Sequence, residues 1–172
     1  MRANSSKHVI ETIKFKDGVY PLFQSQGNAS QFAAPYTKHL CKGIGYDIGY
    51  GEEDWKLEGA IGIDIKDGSP FDAYCLPEEK VDYIYSSHCL EHLSDWIKAL
   101  VYWVSKLKAG GNLVLYLPHK DQEYWLPWNN RKHLHILTAE DITSCLKSLG
   151  VVNIFSSERD LNHSFLIIGS KA

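Results

Sequence analysis

Apolar positions along this chain follow two rhythms. Near residues 43–66, and again at 81–86 and 112–117, they form short runs closed by an acid, a polar residue or a proline. Elsewhere they recur every three or four positions. The short runs predict buried strands and the wider spacing predicts amphipathic helices. Strands are therefore expected at Ile44–Asp47, around Ala60–Asp64, at Val81–Ser86 and at Asn112–Leu117, the last closed by Pro118. Trp96, Leu100, Trp103 and Leu107 mark a helix over Asp95–Leu107, with Lys108-Ala-Gly-Gly111 as its stop. Thr138-Ala-Glu-Asp141 is a capping signal for a helix to Leu149, ended by Gly150. Val151–Ser156 and Phe165–Gly169 complete the chain as antiparallel strands. Upstream, residues 1–6 read as a polar terminus. Lys16-Asp17-Gly18 predicts a hairpin turn between Ile13 and Tyr20. Gln24–Ser30 is a polar loop, and Ser30 is placed to cap a helix to about Leu40, with Phe32, Tyr36 and Leu40 on one face.

The links between strands narrow the architecture. A parallel crossover needs about a dozen residues or more, and only residues 49–59 join the first two strands. A helical turn or two near Glu52–Leu57 is all that fits. Residues 65–71 hold no full helix, and Asp67-Gly68-Ser69-Pro70 signals a turn. The expected fold is α/β: a Rossmann-like, mostly parallel sheet with a closing antiparallel hairpin and a shortened helical layer on the edge after the second strand. One domain spanning 1–172 is expected, with an N-terminal hairpin and helix (1–39) before a core (40–172).

Composition removes several alternatives. The chain has 172 residues, 44% of them hydrophobic, and a net charge of −3. Its 18 basic residues are scattered, apart from a small patch at Arg131-Lys132-His133, so neither nucleic acid nor an anionic membrane is an expected partner. Cysteines 41, 75, 89 and 145 lack C-x-x-C spacing and read as reduced residues of a cytoplasmic protein. There is no signal peptide and no apolar run of spanning length.

The candidate chemistry begins at Gly43-Ile-Gly-Tyr-Asp47-Ile-Gly-Tyr-Gly51. The dinucleotide fingerprint G-x-G-x-x-G fails here because position 48 is isoleucine. Asp47 would repel a diphosphate and attract an ammonium or sulfonium group. Asp64, at the end of the next strand, suits a ribose diol, because a carboxylate accepts from two hydroxyls. An amino-acid-bearing cationic nucleoside meets both demands, and S-adenosylmethionine is one. Glycines 49 and 51 are expected where a side chain would obstruct the ligand.

Gly43–Gly51, Gly62-Ile-Asp64-Ile, Asp72-Ala-Tyr-Cys-Leu-Pro77, Ser86-Ser-His-Cys-Leu-Glu-His-Leu93 and Leu107-Lys-Ala-Gly-Gly111 stand in this order. Together they resemble the class I S-adenosylmethionine-dependent methyltransferases, in particular the small-molecule branch called methyltransferase type 11. The resemblance spans roughly residues 40–150. It implies that Asp47, Gly49 and Gly51 border the methionine part of the cofactor and that Asp64 holds the ribose hydroxyls. Ile65 would pack on adenine, and Asp72 would accept from the adenine amino group with Ala73 beside it. Ser87 and His88 would line the reacting centre.

Methyl transfer needs a base only where the acceptor must lose a proton. His88, His119, Asp121, His133 and His135 are candidates, and His119 is favoured because it follows the strand Asn112–Leu117. Each lone histidine reads equally as a loop or capping residue. Trp125 and Trp128 suit a lid over a small-molecule acceptor, or simply loop packing. Two rival functions stand beside this one. The short links and Tyr50 in the glycine loop suit a non-catalytic binding protein of the same fold. His88-Cys-Leu-Glu-His92 also spells H-x-x-E-H, a zinc-hydrolase motif that needs both histidines on one helical face. His88 follows a strand too closely for that, so no metal is expected.

Overall fold

The computed structural model describes residues 11–22, 29–66 and 69–172. The polar terminus at 1–6, most of the loop 24–30, including Gly27-Asn28, and Asp67-Gly68 of the expected turn lie outside the described residues.

A two-stranded antiparallel hairpin opens the described chain, β1 (Thr12–Phe15) and β2 (Gly18–Pro21). Its turn is Lys16-Asp17, as the sequence suggested. The helix α1 (Ser30–Leu40) follows. The main sheet contains β3 (Gly45–Ile48), β4 (Ile61–Ile63), β5 (Val81–Ser87), β6 (Leu107–Pro118), β7 (Val151–Ser156) and β8 (Ser164–Lys171), in the order β4-β3-β5-β6-β8-β7. β4, β3, β5 and β6 run parallel. β8 enters antiparallel between β6 and β7. Helix α2 (Trp96–Lys106) connects β5 to β6, and α3 (Ala139–Ser148) precedes β7. This is the expected Rossmann-like sheet with its closing antiparallel hairpin. No helix among the described residues is long and apolar enough to cross a membrane.

The pleat of the central strands divides the core. Leu113, Leu115 and Leu117 of β6 face one side with Ile84 of β5, packed against Leu100 and Trp103 of α2 and Ile142 and Leu146 of α3. Val114 and Tyr116 face the other side with Tyr83 and Tyr85, packed against Ala29 and Ala33 at α1. Successive residues of a strand point to opposite faces, so strands buried on both faces read as continuous apolar runs.

Several expectations need correction. Ser30 does not cap α1: Ala29 occupies that position with no side-chain cap, and Ser30 is the first helical residue. The buried stripe of α1 is Ala33 and Thr37, not Tyr36, which is 51% exposed. Small residues allow the helix to lie close on the sheet, leaving Phe32 and Leu40 as partly buried flanks. β6 starts immediately after α2, with Leu107 extended as the helix cap. The helix does stop before Lys108, but Lys108-Ala-Gly-Gly111 already belongs to the strand, exposed over Lys108–Gly110 with φ +75° at Gly110 and buried at Gly111.

The shortened edge is present. Between β3 and β4 only one 3-10 turn forms, Glu53–Trp55. No helix or strand forms among the described residues between β4 and β5. That segment instead closes on an isolated bridge between Asp72 and Cys75. Side chains of α2 satisfy its backbone: the Trp103 indole N–H donates to the Ala73 carbonyl at 2.7 Å, and the Tyr102 hydroxyl accepts from the Leu76 N–H at 3.0 Å. A buried loop needs such partners.

The capping box at α3 forms as predicted. The Thr138 hydroxyl accepts from the Asp141 N–H, and the Asp141 carboxylate accepts from the Thr138 N–H. Replacing Thr138 by alanine is expected to cost about 1 kcal/mol. A thermal melt checks this, and the midpoint should fall by roughly 2–4 °C.

Candidate functional site

A cavity of about 800 Å³ opens at the C-terminal ends of β3, β4 and β5. β4 lies on one side of β3 and β5 on the other, so the chain reverses direction across the sheet here. Ligands of open α/β sheets bind in that crevice, and the volume lies within the range of small-molecule sites.

Asp47 and Asp64 both border the cavity. Pleating sends Tyr46 and Ile48 into one face of the core and leaves Asp47 on the α1 side. One oxygen of Asp47 accepts from the Leu57 N–H at 2.7 Å. Asp64, one residue beyond β4, accepts from the Gly51 N–H at 3.0 Å. Both carboxylates are thereby fixed by the backbone of the short β3–β4 link. Asp47 is 1% exposed. Burial pushes its pKa up to about 7, against the lowering effect of the Leu57 N–H and Lys56.

Gly49 has φ +76°, and a Cβ there would lie 2.5 Å from the Cys89 side chain. Glycine is thus needed for the turn and for the close approach of Cys89. Steric access for a ligand is not what the geometry shows at this position. Gly51 also has φ +76°. The turn is closed by the Gly49 N–H donating to the Ile63 carbonyl at 2.8 Å.

The other predicted residues divide clearly. Gly49, Gly51, Ile65, Ala73, Ser87 and His88 border the same cavity as the two acids. Asp72 does not: its carboxylate accepts from the Tyr74 N–H at 2.7 Å. His119 does not either. It sits past β6 with its Nδ1 3.4 Å from Asp121, beside a separate cavity of about 10 Å³. The antiparallel β8 draws it there, since the His119 N–H donates to the His163 carbonyl at 2.7 Å. His135 is likewise off the main cavity and bonds the Leu93 carbonyl at 2.9 Å. Trp125 borders the main cavity, whereas Trp128 is 67% exposed and does not.

Part of the cavity wall is aromatic and rich in imidazole. His88 takes φ +49°, a left-handed conformation uncommon for a side-chain-bearing residue. Its Nε2 pairs with the Ser164 hydroxyl at 2.9 Å, and its ring meets the edge of Trp125 with centroids 4.4 Å apart. Burial holds its pKa well below the usual range, with His133 and His92 adding to the shift. Burial also lowers His92, and brings His133 down to about 4. Tyr124 borders the cavity on this wall. The hairpin supports it, with the Phe15 and Tyr124 rings 5.2 Å apart.

The glycine turn, the paired acids at neighbouring parallel strand tips and the residues at the end of β5, Ser87 and His88, therefore border one cavity. The sequence profile of the methyltransferase domain family matches residues 26–154. The chain belongs to this methyltransferase family.

Solved structures agree at the level of fold. An S-adenosylmethionine-dependent methyltransferase from Archaeoglobus fulgidus aligns at TM-score 0.67 and 19% identity, covering 87% of this chain and 98% of that one. A Burkholderia thailandensis 1,6-didemethyltoxoflavin N1-methyltransferase, solved with its substrate and S-adenosylhomocysteine, aligns at 0.64 and 16%, covering 87% and 81%. A Haloferax volcanii putative methyltransferase, solved with the Trm112 activator, aligns at 0.64 and 12%, covering 86% and 93%. No curated protein matches the chain by sequence. The kinship with class I S-adenosylmethionine-dependent methyltransferases, read from the five sequence blocks, holds for family and fold.

The sequence-based reading left Tyr124, His92 and Lys132 of this methyltransferase cavity out of its site. For His92 a signal existed in the H-x-x-E-H spelling. The other two come from the long link after β6, whose path no local pattern encodes.

Proposed function

We propose that this chain transfers a methyl group from S-adenosylmethionine to a small-molecule acceptor. The observation that carries the reading is the convergence of Asp47 and Asp64 on one cavity that Tyr124 and Trp125 also line. Bound there, S-adenosylmethionine supplies a methyl group on a positively charged sulfur, open to in-line displacement. Asp47 and the backbone at Gly49 and Gly51 hold the methionine end, where the carboxylate attracts the ammonium. Asp64 accepts from the ribose hydroxyls, and Ile65 with Ala73 flanks adenine. Ser87, His88, Tyr124 and Trp125 enclose the acceptor and exclude water, which aligns the nucleophile. His88, which burial keeps neutral and only weakly basic, lines the reacting centre and suits an acceptor that needs no deprotonation.

Isothermal titration with S-adenosylmethionine tests the proposal, and its pH dependence makes the test specific. The cation binds ionised Asp47, whose pKa in the free protein is about 7. Affinity should therefore rise with pH through about 7 and decline again at higher pH, where the ligand's own ammonium, with an α-amino pKa of about 8, loses its proton. Below pH 7 it should fall towards tenfold per unit, because ionising the acid then costs about 1.4 kcal/mol per unit. Absence of binding at pH 8, or affinity flat between pH 6 and 8, counts against the assignment.

A further inference from the structure

Glu91 and the imidazoles around it form a cluster that cofactor binding does not use. Glu91 is 0% exposed, and neither of its carboxylate oxygens has a hydrogen-bond partner. Three imidazole nitrogens surround one of those oxygens: His88 Nδ1 and His92 Nε2 at 3.8 Å, and His133 Nε2 at 4.0 Å. These distances are too long for hydrogen bonds. A buried carboxyl with no partner is costly. A cation held between these groups would offset that cost.

The surroundings orient the cluster in the way metal ligands are oriented. His92 donates from Nδ1 to the Lys132 carbonyl at 2.7 Å, which orients the ring with Nε2 3.8 Å from Glu91. The His133 ring is engaged by the backbone of Trp125. The Glu91 carbonyl accepts from the N–H groups of Leu134 and His135, at 2.8 and 3.2 Å. Those bonds clamp the distant loop so that His133 faces the 3-10 turn carrying Glu91 and His92. One ligand atom from each of Glu91, His92 and His133 lies within 4.8 Å of the others. Ligands about 2.0–2.2 Å from a tetrahedral zinc ion stand roughly 3.4 Å apart, so the set must draw in from its present spacing of up to 4.8 Å to close on an ion.

We propose that Glu91, His92 and His133 bind a divalent transition-metal ion of the zinc class. Two imidazoles and a carboxylate are the donor set that such ions take, whereas magnesium prefers oxygen alone. The motif H-x-x-E-H thus contributes its glutamate and second histidine. His88, in its left-handed turn, stands beside the site instead of acting as the first ligand. The sequence alone gave no metal because His133 arrives from a loop 41 positions beyond His92. Three protein ligands leave a fourth position open, and His92 and His133 both border the main cavity. Resting on the methyl-transfer reading, that position faces the acceptor. It selects acceptors that offer an oxygen or nitrogen lone pair.

The test uses the full chain freed of metal by a chelator and titrated with zinc chloride, with cobalt(II) absorption as a second readout. One equivalent should bind, with a visible cobalt spectrum. Affinity should drop at least a hundredfold in Glu91→Gln and in His92→Ala, while magnesium leaves zinc binding unchanged. His92 is partly exposed, so its variant carries the test if Glu91→Gln fails to fold. No zinc uptake by the wild type, or unchanged uptake in the folded variants, overturns the proposal. The Asp64→Ala variant separates the two readings, since it should bind zinc normally while losing cofactor affinity. Wild-type protein that binds zinc but no S-adenosylmethionine would sink the methyl-transfer reading and leave the metal site standing.

Discussion

Asp64→Ala is expected to weaken S-adenosylmethionine binding by about tenfold to a hundredfold. A hydrogen bond to a charged group is worth about 1.5–3 kcal/mol, and each 1.4 kcal/mol is a factor of ten. Asp64 is the informative choice because its carboxylate is only partly buried and holds a single loop N–H, that of Gly51. The melting temperature should therefore change little while affinity falls. Asp64→Asn keeps one acceptor oxygen and should lie between wild type and alanine. Asp47 is a poorer probe: it is almost fully buried and satisfies the Leu57 N–H, so its loss would damage the fold and the site together. Calorimetric titration of both Asp64 variants decides the matter, and unchanged affinity in each would remove the ribose assignment.

Trp103→Ala should produce the largest loss of stability, about 3–5 kcal/mol. Trp103 is fully buried among Leu100, Ile84 and Leu113, and its indole N–H donates to the Ala73 carbonyl. The substitution opens a large cavity and also strands a buried carbonyl. Against a total stability of about 5–15 kcal/mol, that is a large fraction, and the melting temperature should drop by roughly 10 °C or more. Trp103→Phe restores most of the volume but not the donor, and should cost about 1–3 kcal/mol. Because Ala73 borders the cavity, both variants should also weaken cofactor binding. Thermal melts with and without S-adenosylmethionine measure the two effects separately. A Trp103→Ala protein as stable as wild type would show that the loop over residues 71–77 is not anchored through this bond.

The corrections made by the structure share a cause. The sequence-based reading of α1 placed Tyr36 inside, since large apolar residues at spacing four normally mark a core face. The sheet side of α1 is already filled by Tyr83, Tyr85 and Tyr116, so only small residues fit beneath the helix. His119 was favoured because residues after a parallel strand point to the ligand crevice. Here β8 pairs with β6 from Asn112 to Pro118, and His163, just before β8, takes up the His119 N–H. Gly49 was correctly marked as special, but its neighbour Cys89 comes from another strand tip.

Local rules were enough wherever an element's cause lies within a few residues. The strand runs, the capping box at Thr138, the glycine turn after Asp47 and the brevity of both links around β4 all follow from spacing, propensity and chain length. The acids at 47 and 64 were legible because parallel strands carry their ends to one edge, so a position along the strand is already a position in space. What the chain could not specify locally was which side chains the long segment 119–137 delivers, and to where. That was decided by the Glu91 carbonyl holding the Leu134 and His135 N–H groups. Those bonds bring His133 against Glu91 and His92, and move Trp125, but not Trp128, onto the cavity. Such pairing depends on two backbones meeting across the fold, for which sequence spacing carries no signal.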